Sequence, residues 1–117
     1  MARLLIVDDA AFMRMMLSDM VDGHHEVCGV AGDGLEAIEK YKELKPDIVT
    51  MDITMPNMHG IDAMREILDF DRNAKVLICS AIGHRQKVLE AMKTGASDFV
   101  IKPFQKEQIL VAIARLL

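Results

Sequence analysis

Short apolar runs alternate with longer amphipathic stretches along the whole chain. Arg3–Val7, Glu26–Ala31, Ile48–Met51, Lys75–Cys79 and Asp98–Ile101 are rich in Val, Ile and Leu and read as strands. Ala11–Val21, Gly34–Leu44, Ile61–Leu68, Arg85–Lys93 and Lys106–Leu117 carry apolar residues at helical spacing. Leu35, Ile38, Tyr41 and Leu44 form the expected buried stripe of the second helix. Ile61, Met64, Ile67 and Leu68 do so in the third, Val88, Leu89 and Met92 in the fourth, and Ile109, Ala112, Ile113 and Leu116 in the fifth. Punctuation agrees. Gly32-Asp33-Gly34 is a turn with Asp33 as an N-cap, Pro46 stops the second helix, and Gly95 follows the fourth.

Five β–α units in a row predict a single α/β domain over residues 1–117, with an all-parallel sheet, right-handed crossovers and helices on both faces. With five units the flavodoxin-like strand order 2-1-3-4-5 is expected. That order separates Cys28 on strand 2 from Cys79 on strand 4 by roughly 14 Å at about 4.8 Å per strand. A disulfide needs less than about 7 Å, so both cysteines are expected as buried free thiols.

Composition narrows the class. The chain has 117 residues, 51 % of them hydrophobic and 27 % charged, enough for a packed core. A net charge of −4 argues against nucleic acid as a partner, because phosphate binding needs a basic patch. The longest apolar run, Ile109 to Ala114, is far short of the roughly 18 residues of a membrane span. Leu4–Val7 runs straight into Asp8-Asp9 and is too short for a signal sequence. The expectation is a soluble, cytoplasmic monomer without membrane contact.

The candidate chemistry lies at the strand ends. Asp8-Asp9 follow strand 1, Asp52 strand 3, Ser80 strand 4 and Lys102-Pro103 strand 5. In a parallel sheet these ends share one edge, and strands 1 and 3 meet at the switch point where ligands bind. Asp8, Asp9 and Asp52 should therefore converge. Two such charges 5 Å apart repel by about 3 kcal/mol at an effective dielectric near 20. A hard cation with oxygen ligands offsets that, and Mg²⁺ tolerates a site with few protein ligands. A metal, a lysine on the far side of the crevice, a hydroxyl and a carboxylate nucleophile are what phosphoryl transfer requires. Taken singly the residues have plainer readings. Asp8 and Asp9 would cap the first helix, Asp52 would be a loop aspartate, Ser80 a turn serine and Lys102 a solvated lysine. Complementary groups at four strand ends are much less common by chance.

The same residues resemble the receiver domains of two-component response regulators. The resemblance covers the whole chain. It is carried by Leu4-Leu5-Ile6-Val7-Asp8-Asp9, by Pro46 through Pro56 with Gly60 after it, by Ser80-Ala81, by Gly95-Ala96 and by Lys102-Pro103-Phe104. Asp8 through Met16 and Lys102 through Gln105 are similar to the single-domain chemotaxis regulators of that family. The resemblance implies that Asp52 is phosphorylated by a histidine kinase. Mg²⁺ would be held by Asp9 directly, by Asp8 through water, by Asp52 and by the Thr54 backbone carbonyl. Ser80 would bond a phosphoryl oxygen, Lys102 would pair with the phosphate, and the Lys102-Pro103 bond would be cis. Phe99 falls at an aromatic switch position, so the face of helix 4, strand 5 and helix 5 would repack and bind a target. Implied partners are a CheA-like sensor histidine kinase and a flagellar motor switch protein or adaptor. The protein would be a signalling switch in control of motility, not a turnover enzyme.

Two departures from the family pattern matter. Thr54 and Ile82 stand where relatives often have an amide and a carboxylate that position the hydrolytic water. Ile82 cannot orient water, so slow self-dephosphorylation and a separate phosphatase are expected. Phe99 lacks the hydroxyl of the more usual tyrosine. Weaker features have plain explanations: Met13, Met16 and Met20 as core packing of helix 1 or an adaptable docking face, His24-His25 as a solvated turn, and Leu110 and Leu117 as partner-facing or ordinary surface apolar residues. Rival readings are a haloacid-dehalogenase-type phosphatase, which needs a second aspartate where Thr54 stands, and a flavodoxin, whose phosphate Asp8-Asp9 would repel. A phosphorelay intermediate, or a receiver excised from a larger regulator, stays open.

Overall fold

A computed structural model describes residues 1–117. The elements run β1 (Arg3–Val7), α1 (Ala11–Val21), β2 (Glu26–Ala31), α2 (Gly34–Leu44), β3 (Ile48–Asp52), α3 (Gly60–Phe70), β4 (Val76–Ala81), α4 (Arg85–Thr94), β5 (Asp98–Lys102) and α5 (Lys106–Leu116). All strand pairs are parallel and the order is β2-β1-β3-β4-β5, the order expected from the sequence.

The central strands β1, β3 and β4 are buried on both faces, which is why they are nearly continuous apolar runs. Successive side chains alternate between two cores. Leu5, Val7, Val49, Met51, Val76 and Ile78 face α2, α3 and α4. Leu4, Ile6, Ile48, Leu77 and Cys79 face α1 and α5. Each fully buried Leu or Ile contributes about 1.5–3 kcal/mol, so the sheet centre carries most of the apolar burial that holds the fold together.

The edges depart from the expected burial. β2 and β5 each have one neighbour and are half exposed, so Cys28 on β2 is only partly buried while Cys79 on β4 is fully buried. Both are free thiols. Leu35 and Leu89, assigned to buried stripes, are exposed. Three-residue steps turn a helix back by about 60° each, so Leu35 and Leu44 lie on opposite sides of α2. Its buried face is Ala37, Ile38 and Tyr41. His25 is more than a solvated turn residue. Its Nδ1 accepts from the Ala2 backbone N–H at 3.0 Å, and the Glu26 N–H donates to the Ala2 carbonyl at 2.9 Å. Met13 and Met20 pack against the α1/α5 core, consistent with a packing role. Leu110 packs there too, whereas Leu117 is exposed.

Candidate functional site

The strand register sets the site. Val7 is level with Met51, so Asp8 and Asp52 leave neighbouring strands at the same height. Asp52 is level with Cys79, and Ala81 with Lys102, which continues the line to β5. One carboxylate oxygen each from Asp8, Asp9 and Asp52 lies within 4.8 Å of the others. Asp8 and Asp52 are buried, and Asp9 is exposed at the rim.

Neither aspartate after β1 caps α1. The N-cap is Ala10, with no side-chain bond to the helix. Asp8 Oδ1 instead accepts from the Ala10 N–H at 2.9 Å, while Arg14 Nη1 donates to the Asp8 carbonyl at 2.7 Å. These bonds fix the turn and leave Asp8 Oδ2 facing the pocket. Lys102 Nζ donates to it at 2.8 Å and reaches Asp52 Oδ1 at 3.4 Å. Lys102 is thus inside the pocket as the direct counter-charge, rather than on the far side of the crevice. The Lys102-Pro103 bond is cis, as the resemblance implied.

One lysine does not balance three carboxylates. Burial and the neighbouring Asp8 charge push the Asp52 carboxyl up to about 6, against the opposing pull of Lys102. The Lys102 ammonium is itself held above its ordinary range: burial works against the charge, but bonding to Asp8 and attraction to Asp52 and Asp8 win. Cys79, beneath the pocket, is pushed up to about 12, mainly by burial, and stays a thiol. The donor set is all oxygen, carries excess negative charge and opens to water at Asp9. These features fit Mg²⁺, which prefers oxygen ligands and keeps several waters; Asp8, Asp9 and Asp52 are the side chains placed to hold it.

The turn after β3 is packed tightly against Asp52. The Gly60 N–H donates to the Ile53 carbonyl at 2.7 Å, and a Cβ on Gly60 would come within 2.0 Å of the Asp52 carbonyl oxygen. Only glycine fits there. Thr54 is exposed on this loop. Ser80 is fully buried, and its hydroxyl makes one long bond, to the Ala81 carbonyl at 3.4 Å. It hydrogen-bonds none of the pocket's charged groups and is not committed to a strong partner. Phe99 is neither a core aromatic nor part of the pocket. It is 41 % exposed on β5 and lines a groove of about 400 Å³ with Ile82, Leu89, Met92 and Ile101. Arg14 and Gly60 are site-building residues that spacing alone assigned no role.

The chain matches the family model described as "Response regulator receiver domain" over residues 4–114. It is 61 % identical to the chemotaxis protein CheY of Thermotoga maritima, covering 95 % of this chain and 93 % of that protein. Identity to CheY of Bacillus subtilis is 53 %, over 98 % of this chain and 97 % of the relative. Among solved structures, the CheX-CheY-BeF3-Mg²⁺ complex from Borrelia burgdorferi matches with a TM-score of 0.92 and 38 % identity, covering 97 % of this chain and 87 % of that one. The response regulator domain of T. maritima CheB matches with a TM-score of 0.89 and 39 % identity, covering 97 % and 94 %. With the sheet order and the acidic pocket already in place, these matches show that the chain belongs to the response-regulator receiver family of two-component signalling and is CheY-like.

Proposed function

We propose that the protein is a phosphorylation-driven switch of chemotaxis, with Asp52 as the phosphoacceptor. The observation that carries this reading is the meeting of Asp8, Asp9, Asp52 and Lys102 in one pocket from the ends of three strands. A carboxylate oxygen of Asp52 attacks the phosphorus of a phosphohistidine on a sensor kinase. The P–O bond forms as the P–N bond breaks, and the electron pair returns to the imidazole nitrogen. Bound Mg²⁺ supplies charge neutralisation for the phosphoryl oxygens. Asp9 and Asp52 would hold that cation directly and Asp8 through a water, with the Thr54 carbonyl as a further ligand. Lys102 follows the phosphoryl group, exchanging its Asp52 contact for a phosphoryl oxygen.

The product is an acyl phosphate bearing about two negative charges. It offers Ser80 a charge-assisted bond much stronger than its long bond to Ala81. Drawing Ser80 inward shifts the β4–α4 loop. That loop carries Ile82 and leads into a helix that buries only Val88 and Ala91 and starts without a side-chain cap. Loosely held elements of this kind are where two packings can compete. The groove beside them, with Phe99 on its wall, is the candidate output surface. The switch is then a population shift biased by one modification. Its target is proposed to be a flagellar motor switch protein or adaptor, and the relative crystallised with CheX, BeF3 and Mg²⁺ is consistent with protein partners for this fold. Exposed Thr54 and Ile82 place no carboxylate or amide at the positions that would orient an attacking water. A separate phosphatase is therefore part of the proposal. The test is capture of target protein by immobilised chain with and without beryllofluoride and Mg²⁺. Capture that ignores beryllofluoride contradicts the switch.

A further inference from the structure

The turn between β2 and α2 lies beside the acidic pocket, where the Asp8 N–H donates to the Ala31 carbonyl, but places no side chain in the carboxylate cluster. Asp33 and Gly34 nevertheless hold the neighbouring loop, residues 53–59, by two separate means. Asp33 Oδ1 accepts from the Glu36 N–H at 2.8 Å and caps α2, while Asp33 Oδ2 accepts from Asn57 Nδ2 at 2.8 Å. Gly34 receives Met58: a Cβ on Gly34 would come within 2.7 Å of both the Met58 side chain and its carbonyl. Asn57 has φ 67°, a left-handed conformation that costs most residues energy and that asparagine tolerates. At its base the loop is closed by the Gly60 to Ile53 bond. The turn itself is tied down by the Gly32 N–H donating to Glu36 Oε1 at 2.6 Å. Thr54 is thus carried on a loop pinned at its foot by Gly60 and at its tip by Asn57.

We infer that Asp33 and Asn57 are positioning residues for the pocket: a bracket on α2 that sets the height of the loop bearing Thr54 and so tunes affinity for Mg²⁺ and the phosphoryl group. The inference rests on the reading of the pocket as the Mg²⁺ and phosphoryl site. A hydrogen bond made directly to a metal ligand is worth roughly tenfold or more in metal affinity; the exposed Asp33–Asn57 bond acts one step further out, through the loop backbone, so tenfold is the upper end of the expected loss. A purely structural role for Asp33, capping α2, makes a different prediction, because serine is an equally good cap. Asp33→Ser keeps the cap and loses the reach to Asn57. Asn57→Gly keeps φ 67° and loses the donor.

Magnesium titration by calorimetry on the full chain tests this, with melting temperature and amide exchange of residues 53–59 read in parallel without Mg²⁺. Asp33→Ser and Asn57→Gly should each weaken Mg²⁺ binding by up to about tenfold, the double variant no further, with faster exchange in the loop and an unchanged melting temperature for Asp33→Ser. Wild-type affinity in both variants overturns the inference, as does an additive double variant, which would mean the two side chains act separately. Asp9→Asn is the control for the pocket. Wild-type protein that binds Mg²⁺ no better than Asp9→Asn sinks the pocket reading and the bracket with it, whereas normal wild-type binding with unaffected variants sinks the bracket alone.

Discussion

Asp33 and the Asp8-Asp9 pair each stand just ahead of a helix, at the same edge of the sheet and on adjacent strands. Asp33 satisfies an orphan N–H of α2 and begins the helix in the ordinary way. Asp8 and Asp9 leave α1 to start at Ala10 with no side-chain cap, and turn toward Asp52 instead. Asp8 has Lys102 as a partner and Asp9 makes no ion pair. The same residue type in the same local position therefore stabilises one turn and burdens the other. Where a carboxylate forgoes a cap to join other carboxylates, stability has been yielded to chemistry, and that imbalance can be measured.

The largest effect is expected at Gly60, which packs against the backbone of Asp52. Gly60→Ala would place a methyl 2.0 Å from the Asp52 carbonyl oxygen, and forcing the two apart should cost about 3 kcal/mol. Denaturant unfolding reads the loss, and phosphoryl uptake should fall with it. Next is the charge on Asp52. Its folded carboxyl sits near 6, above the unfolded value, so the folded state binds the extra proton. That contribution is fully present below about pH 4 and is lost as pH rises through about 6. Without Mg²⁺, Asp52→Asn should exceed wild type by about 2 kcal/mol at pH 8, with the gap closing toward pH 4. Melting curves across that range check it, and an Asp52→Asn protein less stable than wild type at pH 8 would break the contrast between the turns.

The two turns can then be compared directly. Asp33→Ala should cost about 1 kcal/mol through the lost cap, while Asp9→Ala should leave stability within about 0.5 kcal/mol and abolish Mg²⁺ binding. The smallest change in stability, and a large one in rate, is expected at exposed Ile82. Ile82→Glu should supply an orienting group for water and speed loss of the phosphoryl group by roughly tenfold or more, followed by intact mass over time. A wild-type phosphate half-life of a few seconds or less, with no helper protein, would remove the basis for that prediction.

Much of the pocket was legible in the linear chain because its members sit where strands stop. Apolar runs ending in Asp8, Asp52 and Lys102 can only meet at one edge once the sheet is parallel, and the register bears this out. Burial along helices was less legible. Leu35 fits a three-residue rhythm but lies across α2 from Leu44, and the true face uses the small Ala37, which hydropathy ranks low. An apolar run does not reveal whether its strand lies at the edge of the sheet, which is why Cys28 on β2 is only partly buried where its sequence predicts full burial. The partnership of Lys102 with Asp8 spans 94 positions and has no local signal. Nor has the exposure of Phe99, which depends on β5 having no further neighbour. Arg14 and Asn57 act through backbone and side-chain bonds to residues elsewhere in the fold, and only the folded arrangement shows them.

The central claim is tested most directly by the intact mass of the purified chain after incubation with Mg²⁺ and a small acyl-phosphate donor. The account predicts one added phosphoryl group on the wild type, none on Asp52→Asn, and none on wild type stripped of Mg²⁺. An unmodified wild-type mass under those conditions, or an equal gain on Asp52→Asn, would contradict it.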